Sequence, residues 1–470
     1  MAQKRRNIEH SQEQQGARER VLTTIAQEQV RFVNLEFTDV VGLAKSVTIP
    51  VEQFADCIEH GKWFDGSSLE GFARIAESDM YLFPDLATFA VYPESVRPTS
   101  LNMMQFEGAS DRVARVICEV RTPDGERFDG DPRVTLQRTL EMAREMGYTF
   151  HVAPELEFFL LRLEDGKPTP LPHDRGGYFD LSTDLAASVR RQTVSALQLM
   201  GMSIEASHHE VAAGQHEVDF ESDDALHIAD GLMTAKYVVK AIAAHHDLYA
   251  TFLPKPLYGV NGSGMHTHQQ LVSIETGKNA FLDERADYGL SEIARYFIAG
   301  QLAHARGLCA IVAPLVNSYK RLVPGFEAPT FVNWGRTNRQ ALIRVPRLGP
   351  NPQDSMRIEL RCCDASSNPY LALAVMLRAG LDGIQRKLTL PPPMDESLFL
   401  QDETERHRTH ARPLPATLGE ALDALREDAL IRDTLGDSIY EGFMDAKTIE
   451  WIEYRKAVHE WEIERYLSVF

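Results

Sequence analysis

Two glutamates one residue apart, in Pro154-Glu155-Leu156-Glu157-Phe158-Phe159-Leu160, are where chemistry in this chain would be organised. In an extended strand Glu155 and Glu157 project from one face, and Leu156, Phe158 and Leu160 from the other. Like charges on one face repel unless a cation lies between them, and a bound metal ion is the simplest such cation. A lone Glu-x-Glu reads more simply as the wet face of an exposed strand. Recurrence changes that. His216-Glu217-Val218-Asp219-Phe220, Met265-His266-Thr267-His268 and Met356-Arg357-Ile358-Glu359-Leu360-Arg361 repeat the alternation, each with ionisable residues in an apolar frame. A packed sheet that gathers Glu, His and Arg on one face from several strands makes a charged pocket.

The donor types restrict the ion. Ser207-His208-His209-Glu210, followed by Gly214-Gln215-His216-Glu217, contains adjacent histidines that would suit zinc, but no His-Glu-x-x-His spacing occurs. Carboxylates outnumber imidazoles, which favours Mg2+ or Mn2+. Arg336, Arg339, Arg344 and Arg347 form either a solvated face or the planar cations that a transferring phosphoryl group requires. Neither G-x-G-x-x-G nor G-x-x-x-x-G-K-[ST] is present, so a nucleotide would bind without a Rossmann or P-loop cradle. Asn261-Gly262-Ser263-Gly264 fits close backbone approach to a ligand or a plain hairpin. Residues 317–329, where two prolines and Gly325 bracket Glu327, read as an irregular lid.

These residues need a scaffold. A chain of 470 residues exceeds a single small core, so two domains are expected. Residues 1–19 read as a flexible tail and 20–110 as a small domain, opened by paired strands over 30–50 around a turn at Asp39. Trp63 and Phe64 introduce a Gly/Ser loop that they could anchor on a partner surface. Residues 111–470 form the larger domain, with a strand near 115–120 and helices near 133–146, 183–201, 223–248, 291–306 and 370–387. Asn368-Pro369 caps the last of these. Pro391-Pro392-Pro393 begins a mobile polar segment to about Arg412. A terminal helix over 446–470, carrying Trp451, Tyr454, Trp461 and Tyr466, is apolar enough to dock on another subunit.

A net charge of -19 argues against general nucleic-acid binding and against an anionic membrane surface. Five cysteines without a C-x-x-C pair read as reduced thiols. With no secretory leader and no span-length apolar stretch, a cytoplasmic location is expected.

In order along the chain, Phe64-Asp65-Gly66-Ser67-Ser68, Pro154-Glu155-Leu156-Glu157-Phe158, His208-His209-Glu210-Val211-Ala212, Asn261-Gly262-Ser263-Gly264-Met265-His266, residues 317–329 and Asn368-Pro369-Tyr370-Leu371-Ala372 resemble type I glutamine synthetases. The resemblance runs from about residue 20 to the end. It implies an α+β fold: a small N-terminal β-grasp-like domain and a large catalytic domain with a curved antiparallel half-barrel sheet backed by helices. It also implies ATP-dependent joining of ammonia to L-glutamate through a γ-glutamyl phosphate.

Residue by residue, the resemblance implies one metal on Glu157, Glu210 and Glu217 and a second on Glu155, His266 and Glu359. It implies glutamate contacts from Asn261, Gly262, His266, Arg321 and Arg361, and ATP near Glu205 and His268 with its phosphates on Arg339 and Arg344. Asp65 and Tyr178 would hold ammonium, Asp65 coming from a neighbouring subunit, and Glu327 would close over the site. Two stacked hexamers, twelve subunits in all, are implied, with the terminal helix gripping across the rings. Residues 71–80 look like the shorter alpha subtype. Phe399 falls where one subtype has a tyrosine that is adenylylated, so that control is expected to be absent, and residues 353–356 lack a lysine found in some relatives. Two alternatives remain: a family member that joins glutamate to a polyamine or ethanolamine, and an inactive member kept as a binding or structural protein.

Overall fold

The computed structural model describes residues 2–67, 79–96, 112–171, 174, 176–181, 185–395 and 412–470, with side chains from residue 15. A helix, α1 (Ala2–Gln27), occupies the stretch expected to be a tail. The alternation around Asp39 then forms an antiparallel pair, β1 (Phe32–Thr38) and β2 (Ala44–Pro50). Helix α2 (Phe54–His60) and strands β3 (Lys62–Asp65), β4 (Asp79–Pro84), β5 (Ala90–Val91) and β6 (Val113–Arg121) complete the unit. Its sheet runs β2-β1-β6-β4-β3 with β5 on β6, and β1 lies parallel to β6. Val33, Leu35, Phe54, Met80, Leu82, Val116 and Val120 fill its core. Because β6 pairs with both β1 and β4, this sheet continues to Arg121, past the division expected at residue 110. Phe64 packs inward against Phe37 while Trp63 is exposed, so only one of that aromatic pair anchors the loop to its own domain.

The second unit opens with α3 (Pro132–Glu145), capped by the Asp131 carboxylate on the Arg133 amide. Its sheet is built on a 17-residue strand, β7 (Tyr148–Glu164). Strands β8 (Lys167–Pro170), β9 (Ile204–His209), β10 (Gln215–Phe220), β11 (Asp223–Asp224), β12 (Tyr249–Thr251), β13 (Met265–Ser273), β14 (Trp334–Gly335), β15 (Ile343–Arg344) and β16 (Ile358–Leu360) follow. The order is β14-β15-β16-β13-β7-β10-β9, with β8, β11 and β12 also on β7, and all but the β14–β15 pair antiparallel. Leu156, Phe158 and Leu160 point into the core beneath α4 (Leu185–Leu199), α5 (Ala225–His245), α6 (Glu292–Val312), α7 (Ser318–Arg321), α8 (Pro352–Ser355) and α9 (Pro369–Arg386), which include the helices backing the sheet. Full burial of such a side chain contributes roughly 1.5–3 kcal/mol, which offsets repulsion among the acids on the opposite face. Gly300 of α6 lies where an added Cβ would meet the Ala379 carbonyl at 2.1 Å, so α6 and α9 meet backbone to backbone.

Buried polar groups join the two units. Arg133 donates to both Asp230 oxygens and to Asp85, and the Tyr370 hydroxyl donates to Asp230. Asn368 caps α9 through its side-chain oxygen and donates to the Asp39 carbonyl. The chain closes with α10 (Leu418–Glu427), α11 (Ala429–Lys456) and α12 (Glu460–Tyr466). The expected single terminal helix is therefore broken around His459, whose extended backbone starts α12. The supposedly irregular lid also departs from expectation: its first residues form α7, with Ser318, Tyr319 and Arg321 buried. All five cysteines are free and buried. Among the described residues no helix is long and apolar enough to cross a membrane. Residues 71–78, the first two residues of the helix expected over 183–201, and Phe399 lie outside the described residues, as does the segment from 396 to 411.

Candidate active site

Strand register assembles the site. Glu157 on β7 lies opposite Glu217 on β10, which lies opposite His208 on β9. One step along, Glu155 faces Asp219 on one side and His266 of β13 on the other. Across β13, His268 faces Glu359 of β16, which in turn faces Arg344 of β15. The segments singled out in the sequence are thus adjacent strands, and their polar faces form one floor.

Two sets of ligand-type atoms on this floor lie within 4.8 Å of one another: Glu155, His266 and Glu359, and His208, Glu210 and Glu217. The first is the expected trio. The second contains His208 where Glu157 was expected. Glu157 stands between the sets, its Oε2 accepting from Gln215 Nε2 at 2.8 Å and the Gly264 amide at 3.1 Å, and its Oε1 3.8 Å from His266 Nδ1.

Their charge balance differs. Burial would raise the Glu155 carboxyl, but His268 at 2.7 Å and His266 at 3.0 Å outweigh it and hold it well below the usual range. Burial likewise opposes ionisation of Glu359, yet Arg361 leads the groups that hold it at about 2, and Arg344 also bonds it. Burial, then Arg361, lowers His266 to about 4. On the other side burial, reinforced by Glu210, pushes Glu157 up to about 8, and burial with Glu157 raises Glu217 well above normal. Asp219 rises to about 6 through burial and Glu155.

This donor chemistry fits divalent ions. Each set pairs two carboxylates with one imidazole, the hard, oxygen-rich composition suited to Mg2+ or Mn2+. Glu157, Glu210 and Glu217 converge with too little positive charge beside them, and Asp219 Oδ1 is buried without a hydrogen-bond partner among the described residues.

The remaining expected residues divide into those the fold brings here and those it does not. Arg321 is buried on α7 and donates to His266 Nε2 and to the carbonyls of Arg361, Cys362 and Cys363. Arg361 reaches the Arg339 carbonyl through Nε as well as Glu359. Gly262 accepts from Gln215 and lies where a Cβ would meet the Pro254 carbonyl at 2.2 Å, so no side chain fits. Asn261 precedes it, half-buried. Tyr178, half-exposed, packs edge-on to His208, and burial together with Glu210 and Glu217 pushes its hydroxyl up to about 12. Glu205 is exposed at the rim on β9, and Arg339 is an exposed cation. Glu327 is exposed on the lid in a left-handed conformation, φ 56°. Asp65 is not with the others: it ends β3 in the first unit, its carboxylate accepting from the Ser67 amide.

Sequence reasoning passed over several participants. His208 shares a face with Glu210, a period-2 relation visible in the sequence; Gln215 and Asp219 gain meaning only from cross-strand register. Beneath Glu210, Asp174 bonds His209 Nε2 at 2.7 Å and the Gly214 amide at 2.6 Å, while His209 Nδ1 donates to the Glu210 carbonyl at 2.6 Å. Arg190 donates to His216 at 2.6 Å. This buried group fixes the chain on both sides of the Glu210–Glu217 pair.

A β-grasp unit fused to a half-barrel that collects these acids and arginines defines an ATP-dependent carbon–nitrogen ligase. Residues 29–123 match the glutamine synthetase β-grasp domain and residues 129–466 its catalytic domain. The chain belongs to the glutamine synthetase family. It is 50% identical over 454 residues to a glutamine synthetase of Thermus thermophilus, covering 96% of this chain and 98% of that one. It is 48% identical over 448 residues to a glutamine synthetase of Staphylococcus aureus, covering 94% and 96%. A solved structure described as a GmaS/ADP complex shares the fold with TM-score 0.82 and 30% identity over 95% of this chain and 99% of that one. GmaS without ligand gives 0.80 at 30% identity.

Proposed function

We propose that the protein joins ammonia to the side-chain carboxylate of L-glutamate at the expense of ATP, through a γ-glutamyl phosphate, giving L-glutamine, ADP and phosphate. The observation that carries this is the carboxylate row Glu155, Glu157 and Glu217 beside the Arg321, Arg344 and Arg361 guanidiniums. Glu155, His266 and Glu359 would hold one divalent ion, and Glu157, Glu210 and Glu217, with His208 beside them, a second. When bound, such ions supply positive charge to the phosphoryl oxygens.

The chain's own groups account for the rest. Arg321 and Arg361, with Asn261 and the bare Gly262 backbone, bind and orient glutamate. Arg339 and Arg344 meet the phosphates, with Glu205 and His268 near the nucleotide. Asp65, supplied by a neighbouring copy, attracts ammonium beside Tyr178 and accepts the proton that frees its lone pair. Glu327 closes over the acyl phosphate and excludes water. The separation of Asp65 from the floor of its own chain supports a shared site and hence an oligomer. The exposed Trp461, Leu467 and Phe470 of the terminal segment supply an apolar surface for subunit contact, consistent with twelve subunits in two rings. The alpha subtype remains our reading of residues 71–80.

Ammonia takes precedence over an organic amine because Asp65, Tyr178 and Glu327 are all present and the 48–50% identical relatives carry the glutamine synthetase name, whereas the GmaS structures share 30%. Phosphate release measured with ATP, glutamate and ammonium, ethanolamine, putrescine or spermidine is expected to be fastest with ammonium. Faster turnover with any organic amine overturns the assignment.

A further inference from the structure

Lys255 belongs to none of the groups so far given a role, yet it touches three parts of the site. Its backbone amide donates to Asn317 Oδ1 at 2.7 Å, and Asn317 Nδ2 donates back to the Lys255 carbonyl at 3.1 Å, which fixes the lysine to the residue that opens α7. Its ammonium donates to the Val260 carbonyl, immediately before Asn261 and Gly262. The same ammonium lies 3.6 Å from the centroid of the Phe326 ring, the residue before Glu327. An added Cβ on Gly262 would fall 3.2 Å from Lys255 Cδ and 3.3 Å from Arg321 Cγ, so Lys255 and Arg321 flank the same backbone.

Leu322 and Ala328 are buried at the two ends of the lid, and the residues between them are half-buried or exposed. Gly325 and Glu327 both lie in the left-handed region, at φ 94° and 56°, and for Glu327 that region is disfavoured. Glu327 is itself exposed, while Phe326 is half-buried. A cation over an aromatic face is attracted by the ring quadrupole, and more strongly where water is partly excluded. Fixing the Phe326 ring inward therefore leaves Glu327 turned outward, with its direction set by its neighbour.

We propose that Lys255 is a positioning residue: a latch that ties the Phe326–Glu327 lid to the Asn261–Gly262 loop, so that substrate in the loop and the shield above it are held as one unit. This rests on the ligase reading only for its kinetic consequence; the latch itself is a property of the fold. Losing it would loosen the lid and let water compete with ammonia for the activated carboxyl, without touching the nucleotide end of the site.

Two readouts test it. Hydrogen–deuterium exchange in residues 322–329 needs no activity: Lys255→Met is expected to speed exchange there about fivefold or more, and Lys255→Arg, which keeps a cation over the ring, to leave it near wild type. In the enzyme assay, the ratio of phosphate released without ammonium to phosphate released with it is expected to rise several-fold in Lys255→Met and in Phe326→Leu, with the KM for ATP unchanged. Unchanged exchange in a folded Lys255→Met protein overturns the latch. So does a raised KM for glutamate with no change in the ratio, which would make Lys255 a direct substrate contact. A wild-type protein without ligase activity would overturn the reaction assigned above and leave the exchange result to decide the latch.

Discussion

The two halves of the catalytic floor are built from the same residue types on adjoining strands, yet they are neutralised in opposite ways. Around Glu155 and Glu359 the protein supplies its own partners: the guanidiniums of Arg344 and Arg361 on Glu359, and the imidazoles of His266 and His268 hydrogen-bonded to Glu155. Around Glu157 and Glu217 burial and neighbouring carboxylates outweigh the rim imidazole His208 and the charge of Arg321, and these two carboxyls respond by holding protons. A divalent ion would compete with arginines on the first side and with protons on the second. The first side is prepaid structure; the second is a charge deficit held open by the core beneath it.

The largest test of this contrast is stability. Glu359→Ala leaves Arg361 buried without its carboxylate and is expected to cost about 3–5 kcal/mol in urea unfolding of metal-free protein. Glu157→Gln is expected to act with the opposite sign. The Glu157 carboxyl titrates at about 8 in the folded protein against an ordinary 4.5, so its stabilising contribution is full below about pH 4.5 and lost as pH rises to 8. At pH 8.5 in chelator the variant should therefore be more stable than wild type by roughly 2–4 kcal/mol. Equal destabilisation by both substitutions would erase the distinction.

The second test is the pH dependence of ion binding. A metal on the Glu157–Glu217 side must displace protons, so its affinity should rise by up to about tenfold per pH unit for each proton displaced, from about 5.5 to 8. Glu359 near 2 and His266 near 4 are already deprotonated in that range, so affinity on their side should stay nearly flat. Mn2+ titrations followed by paramagnetic resonance should resolve one steep and one level class; two parallel slopes would contradict the contrast. The smallest effect concerns Tyr178, which overhangs the acid-rich side. Tyr178→Phe is expected to raise the KM for ammonium about fivefold, the worth of roughly one hydrogen bond, with kcat unchanged.

Much of this floor was legible in the sequence because period-2 alternation marks which residues share a face, and Glu155, Glu217, His266 and Glu359 all announced themselves that way. Alternation within a strand says nothing about which residue stands opposite on the next, and that is why His208, Gln215 and Asp219 were passed over. Sequence punctuation misled at 317–329: the prolines and Gly325 do break the chain, but Ser318 to Arg321 precede them and make a helical turn that buries Arg321. The first sheet was expected to end too early because β6 returns to it after residues 97–111, which carry no clear strand pattern of their own.

The pairing of β7 with β10 and β13 has one more consequence. Side chains alternate sides at every residue, so inserting or deleting a single amino acid in the middle of β7 would turn Leu156 and Phe158 outward and Glu155 and Glu157 into oil. Such a change could not yield a folded enzyme with a misplaced catalyst. Quality control of folding and quality control of chemistry are, along this strand, the same inspection.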